Sequence, residues 1–375
     1  MAVPLLARCV AAVVGLMLVL ISARSVVGTL IVPRSVSSFL TRRIDQLVNA
    51  AFRLAADRMA DYRRRDRVLS GQVATLLLSQ IVVWLLMFFV GFSLIFWPLV
   101  HGGITEAFST VGPALWEIGS VRAFGALQRT ILDIAALIGI ITVTLQIAYL
   151  PTLYAAFNRR ETEVALLNAR AGDPSWGPEL LARTQYALGT GISTIDTLPQ
   201  IYADWERWAA DVTESHTTYL PLVRFRSPKP LSSWITALLA VLDSAALFLS
   251  VSPEHAPVVA ARLCLRSGFT CVNAIARAMG FDIPDEPDPS AGISLTYAEF
   301  LDAIERMRKV NVPIERDPEE AWDHFVGWRV NYEQAAYAIA REIDAVPALW
   351  SGPRHVPGEQ IPPFRPSRGR TNGSR

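Results

Sequence analysis

Three apolar runs, each long enough to cross a bilayer, precede Phe157 in this chain of 375 residues. A helix needs roughly 20 mostly apolar residues to span the hydrocarbon of a membrane. The runs cover about 10–32, 73–100 and 130–157, and the second contains IVVWLLMFFVGFSLIFW. Because backbone groups in lipid must pair within their own segment, the runs predict transmembrane helices and a membrane domain over 1–157.

The basic segment between the first two runs predicts how the chain crosses the membrane. It carries nine arginines against four aspartates: Arg34, Arg42, Arg43, Arg53, Arg58, Arg63, Arg64, Arg65 and Arg67 against Asp45, Asp57, Asp61 and Asp66. The positive-inside rule places such a segment in the cytoplasm. We therefore expect a multi-pass protein of the cell membrane, with its N-terminus outside and its C-terminal domain cytoplasmic.

The first run has a second interpretation. Arg8, a short apolar stretch and the small residues Ser22 and Ala23 are also typical of a secretory signal peptide. A cleaved signal peptide would place the basic segment outside the cell, against the positive-inside rule. The arginines therefore favour a retained span.

The second part of the chain, 158–350, predicts a cytoplasmic helical domain. Thr296 and Glu299 form the capping-box pattern that opens a helix. Asp317–Pro318 supplies a cap acceptor and a proline at the first helical position, which predicts a last helix running to about Asp344. No alternating strand pattern stands out, so the predicted fold class is all-α.

Two other segments of this part need an interpretation. Trp234–Leu249 is nearly long enough to cross a membrane, but it contains Asp243, and positive residues flank it on both sides. A helix that is apolar all round is also typical of a buried core. The flanking charges favour the core helix over a crossing. The final stretch, 351–375, is rich in Pro, Gly, Ser and Arg and predicts a disordered tail.

The composition excludes several functions. A net charge of +1 gives no reason to expect nucleic acid as a partner. The histidines lack recognised metal-ligand spacing, and no phosphate-binding or nucleophile motif is present, so we predict no metal, no cofactor and no enzyme. Asp211, Glu214 and His216 are close in sequence and form the one candidate catalytic group. A capping cluster at a helix end explains them more simply.

The segment 101–128 between the second and third runs is longer than a simple hairpin requires. It contains ITEAFSTVGPALWEIGS, a mixture of apolar and small polar residues. Such a segment can form a short helix that dips into the membrane, then a turn and an extended return. Irregular backbone at membrane depth is tolerated only where protein or water covers it. The segment therefore predicts a re-entrant, pore-like loop.

Four motifs carry a resemblance to a known family. They are IVPR at Ile31–Arg34, YLPTLYAAFNRRE at Tyr149–Glu161, ESHTTYLPLVRFRSP at Glu214–Pro228 and GWRVNYE at Gly327–Glu333. With them the chain resembles bacterial potassium-channel-like membrane proteins of an actinobacterial type, which have two helices around a pore loop, an extra leading helix and a cytoplasmic helical region. The resemblance implies a homo-oligomer, a tetramer if channel-like, in a lipid bilayer, and a monovalent cation as the ion.

The predicted filter departs from the potassium signature TVGYG. One candidate matches its first three residues, but Pro113-Ala114 replaces Tyr-Gly; the other has glutamate where the family tends to have threonine. A potassium filter, a pore of altered selectivity and a non-conducting membrane anchor that presents a helical interaction domain all stay open. The candidate residues are Thr110, Val111 and Gly112, then Glu117, Ile118 and Gly119, with Gly139 as a candidate hinge of the third span.

Overall fold

The computed structural model describes residues 5–32, 39–116, 125–186, 194–288 and 292–352. Within these ranges the chain is helical and contains no strand, which confirms the predicted all-α class. The chain forms two compact units, Met1–Ala155 and Ala156–Arg375, here called unit 1 and unit 2. The boundary lies two residues before the predicted one. The predicted tail falls outside the described residues from 353 onward.

The helices follow the order of the predicted segments. Unit 1 contains α1 (Leu5–Leu30), α2 (Phe39–Ala56), α3 (Tyr62–Leu69), α4 (Gln72–Phe96), α5 (Ile104–Leu115) and the first part of α6 (Ala126–Ala171). Unit 2 contains the end of α6 and then α7 (Gly177–Arg183), α8 (Leu198–Thr218), α9 (Pro221–Arg224), α10 (Trp234–Val251), α11 (Val258–Ala278), α12 (Tyr297–Arg308), α13 (Pro318–Arg329) and α14 (Glu333–Glu342).

Several helices have the length and composition of membrane spans. Among the described residues five helical segments qualify, and they include α1, α4, α6, α10 and α11. In unit 1 the apolar side chains of α1, α4 and α6 stay largely uncovered, for example Val13, Leu78 and Ile147. A water-soluble protein rarely exposes such long apolar faces. The chain therefore has the helices of a multi-pass membrane protein, and three of the candidate helices lie where the sequence predicts spans.

Small residues bring α1 and α4 close together. A Cβ added at Gly15 would lie 2.5 Å from the Gly91 carbonyl oxygen, and one at Gly91 would lie 2.8 Å from Cγ2 of Val19. Small residues at a contact between membrane helices let the two backbones approach. Near the other end of α1, the Trp84 indole N–H donates to Ser25 Oγ at 3.0 Å. Both contacts are buried within unit 1.

Helix α10 is the core of unit 2. All 18 of its residues are buried, which confirms the burial predicted for Trp234–Leu249. Its last carbonyl groups find protein partners instead of water. The Arg316 guanidinium donates to the Leu249 and Ser250 oxygens at 3.3 and 3.0 Å, and the Glu315 and Arg316 backbone N–H groups donate to the Val251 oxygen at 2.8 and 3.1 Å. A buried helix end requires such partners.

Of the two local signals near the C-terminal helices, the structure confirms the capping box and contradicts the single last helix. The capping box at α12 is confirmed: the Glu299 N–H donates to Thr296 Oγ1 at 3.3 Å, and the Thr296 N–H donates to the Glu299 carboxylate at 2.8 Å. The single last helix is wrong, because the chain forms α13 and α14 instead. The Asn331 amide donates to the Gly327 and Trp328 carbonyl oxygens at 3.0 Å each and ends α13 by competing with the helical ladder.

The contact between α1 and α4 predicts opposite effects for two matched substitutions. Gly91→Ala should lower the thermal stability of the detergent-solubilised protein, by about 1–3 kcal/mol, because its methyl group has no room against α1. Gly327→Ala meets open space in α13 and should be neutral or stabilise by about 0.5–1 kcal/mol. Thermal unfolding followed by circular dichroism measures both. Equal stability of Gly91→Ala and wild type would contradict the close packing.

Candidate functional site

Helix α5 is the centre of the predicted pore segment. It begins after Gly103, whose φ is 90°, and the Glu106 carboxylate in its first turn accepts from the Gly102 N–H at 2.5 Å. A negative side chain is favourable there because the N-terminus of a helix carries partial positive charge. With 12 residues, α5 is about 18 Å long. That is too short to cross the hydrocarbon, so α5 has the length of a half-helix.

The first filter candidate lies inside α5. Thr110 Oγ1 donates to the Glu106 carbonyl oxygen at 2.7 Å, and the Gly112 carbonyl oxygen accepts from the Trp116 N–H at 3.1 Å. Val111 is fully buried. A potassium filter turns a ring of carbonyl oxygens towards the ion. In this structure Thr110–Gly112 have helical backbone and do not form the extended filter strand that we expected of them.

The second filter candidate follows α5 directly in the chain. Glu117, Ile118 and Gly119 lie outside the described residues, so their arrangement stays a prediction. The last described residue before them, Trp116, is exposed.

The glycine predicted as a hinge marks a close contact between helices. A Cβ at Gly139 would lie 2.5 Å from the Leu115 carbonyl oxygen, at the C-terminal end of α5. Helix α6 continues through this position without interruption. Gly139 therefore lets the end of α5 lie directly against α6, and this contact explains the glycine without a bend.

A buried arginine organises the start of unit 2. Arg160, at 0% exposure, donates to the carbonyl oxygens of Leu222 and Phe225 at 2.8 Å each, and its guanidinium lies 2.7 Å from the Glu161 carboxylate. It also contacts Nε2 of His216 at 3.1 Å. A buried cation is tolerated only when it is paired and fully hydrogen-bonded, and Arg160 meets that condition.

The contact with Arg160 fixes the proton on His216. An arginine can only donate, so Nε2 of His216 accepts and Nδ1 carries the hydrogen, which it donates to Ser215 Oγ at 3.0 Å. The Ser215 hydroxyl in turn donates to the Asp211 carbonyl oxygen at 2.7 Å. Burial, and then the charge of Arg160, hold the pKa of His216 well below its usual range. His216 is therefore neutral and structural.

The three residues proposed as a catalytic group do not meet. Asp211 pairs with Arg159, with the two side chains 3.0 Å apart, while Glu214 is exposed and His216 is buried. Residues 211 and 214 share one face of α8, and 216 lies on another face. Residues 214 and 216 are close in sequence but lie apart, because two residues along a helix turn the side chain almost to the opposite side.

A second buried arginine lies beneath α10. Arg329, also at 0% exposure, donates to the carboxylates of Asp243 and Glu333 at 2.6 Å each and to the Trp350 carbonyl oxygen at 2.7 Å. It also donates to the Tyr337 hydroxyl at 2.8 Å. Burial raises the pKa of Tyr337 to about 12, so this hydroxyl keeps its proton and donates it to the Trp350 oxygen at 3.1 Å.

The motifs of the sequence resemblance contain both buried arginines and several of their partners. YLPTLYAAFNRRE contributes Arg160 and Glu161, ESHTTYLPLVRFRSP contributes the groups around it, and GWRVNYE contributes Arg329 and Glu333. Sequence reasoning missed the centres because nothing in one sequence pairs Asp243 with a residue 86 positions later. The lone acid within an apolar run was the available signal, since such a charge must find a buried partner.

Comparison with other proteins adds no relative. No protein-family model, no curated protein and no solved structure matches this chain. Within the part of the chain that the structure describes, no group of three or more side chains could hold a metal ion. The resemblance to potassium-channel-like proteins therefore stays a prediction.

The buried ion pairs of Arg329 with Asp243 and Glu333 predict a large loss of stability when the arginine is removed. Arg329→Met should cost about 3–5 kcal/mol, because Asp243 and Glu333 stay buried without a positive partner. Arg207→Met removes an exposed arginine that pairs with Asp204 and should change the stability by less than about 1 kcal/mol. Denaturant unfolding measures the difference. A similar loss in both variants would contradict the role of Arg329.

His216 predicts a defined pH dependence of the stability of unit 2. Its pKa is lower in the folded than in the unfolded chain, so the unfolded chain binds more protons below about pH 6.5. The free energy of unfolding should therefore fall as the pH drops below that value, by up to about 1.4 kcal/mol per pH unit. His216→Gln, which can still accept from Arg160, should remove this part of the slope. His324→Gln, at a half-exposed position, should leave it, and an unchanged slope in His216→Gln would contradict the assignment.

Proposed function

We propose that this protein is a multi-pass membrane protein with a channel-like pore segment, whose filter is formed by the residues after α5. Four copies around a shared axis would be needed, since one loop cannot surround an ion. The ion is a monovalent cation, and Glu117 alters the selectivity relative to a potassium filter. The N-terminus lies outside and unit 2 lies in the cytoplasm, as the arginines between α1 and α4 favour.

The contact between Gly139 and the end of α5 is the observation that carries the proposal. A half-helix inside a membrane leaves its last carbonyl groups unpaired, and such groups need protein or water around them. Here α5 lies between the two spans α4 and α6, and its C-terminal carbonyl at Leu115 lies against α6. On the other side, a Cβ added at Gly112 would lie 3.4 Å from the Phe89 ring of α4. A half-helix held between two spans favours a pore layout over a simple hairpin.

The helical backbone of Thr110–Gly112 supports a second function. Three residues that match a potassium filter have carbonyl groups that belong to a helix, so the segment favours a pore layout without conduction as well. The alternative is a non-conducting anchor that presents unit 2 as a helical interaction domain to cytoplasmic partners.

Ion conduction by purified protein in planar bilayers separates the two functions. Wild type should carry a potassium current, and Glu117→Gln should reduce it severalfold because it removes a ring of negative charge at the filter. Thr110→Val is the matched control: its hydroxyl is bonded within α5, so its current should match that of wild type.

Each other outcome has a defined meaning. Loss of current in Thr110→Val together with an unchanged current in Glu117→Gln would place the filter in α5 and contradict the proposal. No current at any voltage or salt concentration would remove conduction altogether. The anchor function then requires that crosslinking returns a reproducible partner, and recovery of a lone homo-oligomer would count against it.

A further inference from the structure

Helix α2 is held at one end of two membrane spans. Thr41 Oγ1 lies 3.2 Å from Ser25 Oγ and 3.0 Å from Thr29 Oγ1, both in the last part of α1. Farther along α2, the Asn49 side-chain oxygen accepts from the Gln72 amide at 3.0 Å, and Gln72 is the first residue of α4. These contacts place α2 across the neighbouring ends of α1 and α4.

The outer face of α2 carries large apolar side chains that no described residue of unit 1 covers. Phe39, Leu47 and Leu54 are 73%, 72% and 64% exposed. Their spacing puts them on one side of the helix, while Thr41 and Ile44 are buried on the other. Arg43 belongs to the same outer face, and its guanidinium lies over the Phe39 ring, 4.9 Å from its centroid.

Positive charge surrounds this apolar face. The stretch 39–69, which contains α2 and α3, has eight arginines against four aspartates, a net charge of +4 in a chain whose total is +1. Arg43, Arg63, Arg64 and Arg67 are exposed. Basic side chains beside an exposed apolar stripe are typical of helices that lie in a membrane interface and contact anionic lipids.

We propose that α2 lies in the membrane interface, with Phe39, Leu47 and Leu54 in the acyl boundary, and that the arginines of α2 and α3 bind the headgroups of anionic phospholipids. The inference rests on the membrane insertion of the proposed function but not on ion conduction. The contacts of Thr41 and Asn49 hold α2 at the ends of α1 and α4. The exposed apolar side chains determine which side of α2 faces the lipid. The positive net charge favours anionic headgroups. The occupant of this surface is therefore lipid.

Nitroxide spin labels test the depth of α2 in the full-length protein. The labels are placed at Leu47→Cys on α2, Leu86→Cys on α4 and Arg308→Cys on α12, each with Cys9→Ser, since the other two cysteines are buried. In phosphatidylcholine–phosphatidylglycerol nanodiscs, collisions with oxygen should exceed those with a water-soluble nickel complex at 47 and 86, and the reverse should hold at 308. Water-like accessibility at 47 alone would overturn the proposal for α2. Water-like accessibility at 86 as well would contradict the membrane insertion itself.

Titration with phosphatidylglycerol tests the headgroup site. Added to the protein in neutral detergent, this lipid should raise the unfolding temperature, because a ligand of the folded state stabilises it. Arg43→Gln combined with Arg67→Gln should move the midpoint of that rise roughly 25-fold higher in lipid, since each basic side chain near an anionic surface contributes about fivefold in affinity. Arg308→Gln combined with Arg341→Gln, at two exposed positions of unit 2, should leave the midpoint unchanged. The proposal is overturned if phosphatidylcholine stabilises equally or if both double variants behave like wild type.

Discussion

Unit 2 buries an entire 18-residue helix, and a helix without water must find protein partners for its ends and for any charge that it carries. Asp243 is that charge in α10, and Arg329 is its partner at 2.6 Å. The same guanidinium reaches Glu333, Tyr337 and the backbone of Trp350, so α10, α13, α14 and the segment that follows α14 depend on one cation. At the end of α10, Arg316 satisfies carbonyl groups in the same way. The packing of the helices around α10 follows from the need to pair its buried carboxylate and its last carbonyl groups.

Sequence reasoning predicted what depends on local composition. Apolar runs predicted three long apolar helices, an all-round apolar stretch predicted the buried α10, and a capping box predicted the start of α12. It failed where one side chain decides the backbone: Asn331 interrupts what the apolar pattern extends as one helix. It also missed the pairing of Asp243 with Arg329, because a long-range ion pair leaves no periodic signal in a single sequence. The two filter candidates illustrate the same limit, since TVG in α5 has helical backbone despite its match to an extended motif.

The two units stabilise their helices by different means. In unit 2, buried charged side chains are stabilised by several ion-pair and hydrogen-bond partners each, as at Arg160 and Arg329. In unit 1, the described helices meet through small residues at Gly15, Gly91 and Gly139, where backbone approaches backbone. Lipid gives little apolar driving force between helices, so close packing has to supply it. This contrast agrees with a membrane setting for unit 1, whose long helices expose apolar faces and pack closely at small residues.

The junction between α1 and α4 also bears on how the chain matures. If a peptidase removed α1 after export, the Trp84 indole N–H would lose its acceptor at Ser25 and would face hydrocarbon unpaired. The surface of α4 at Gly91, which Gly15 and Val19 now cover, would contact lipid chains that pack against it less closely. Thr41 would lose both of its hydroxyl partners, and α2 would be released from one of its two attachments. The first helix therefore takes part in the packing of unit 1, because α4 contacts it at Gly15 and both α2 and α4 contact it at Ser25.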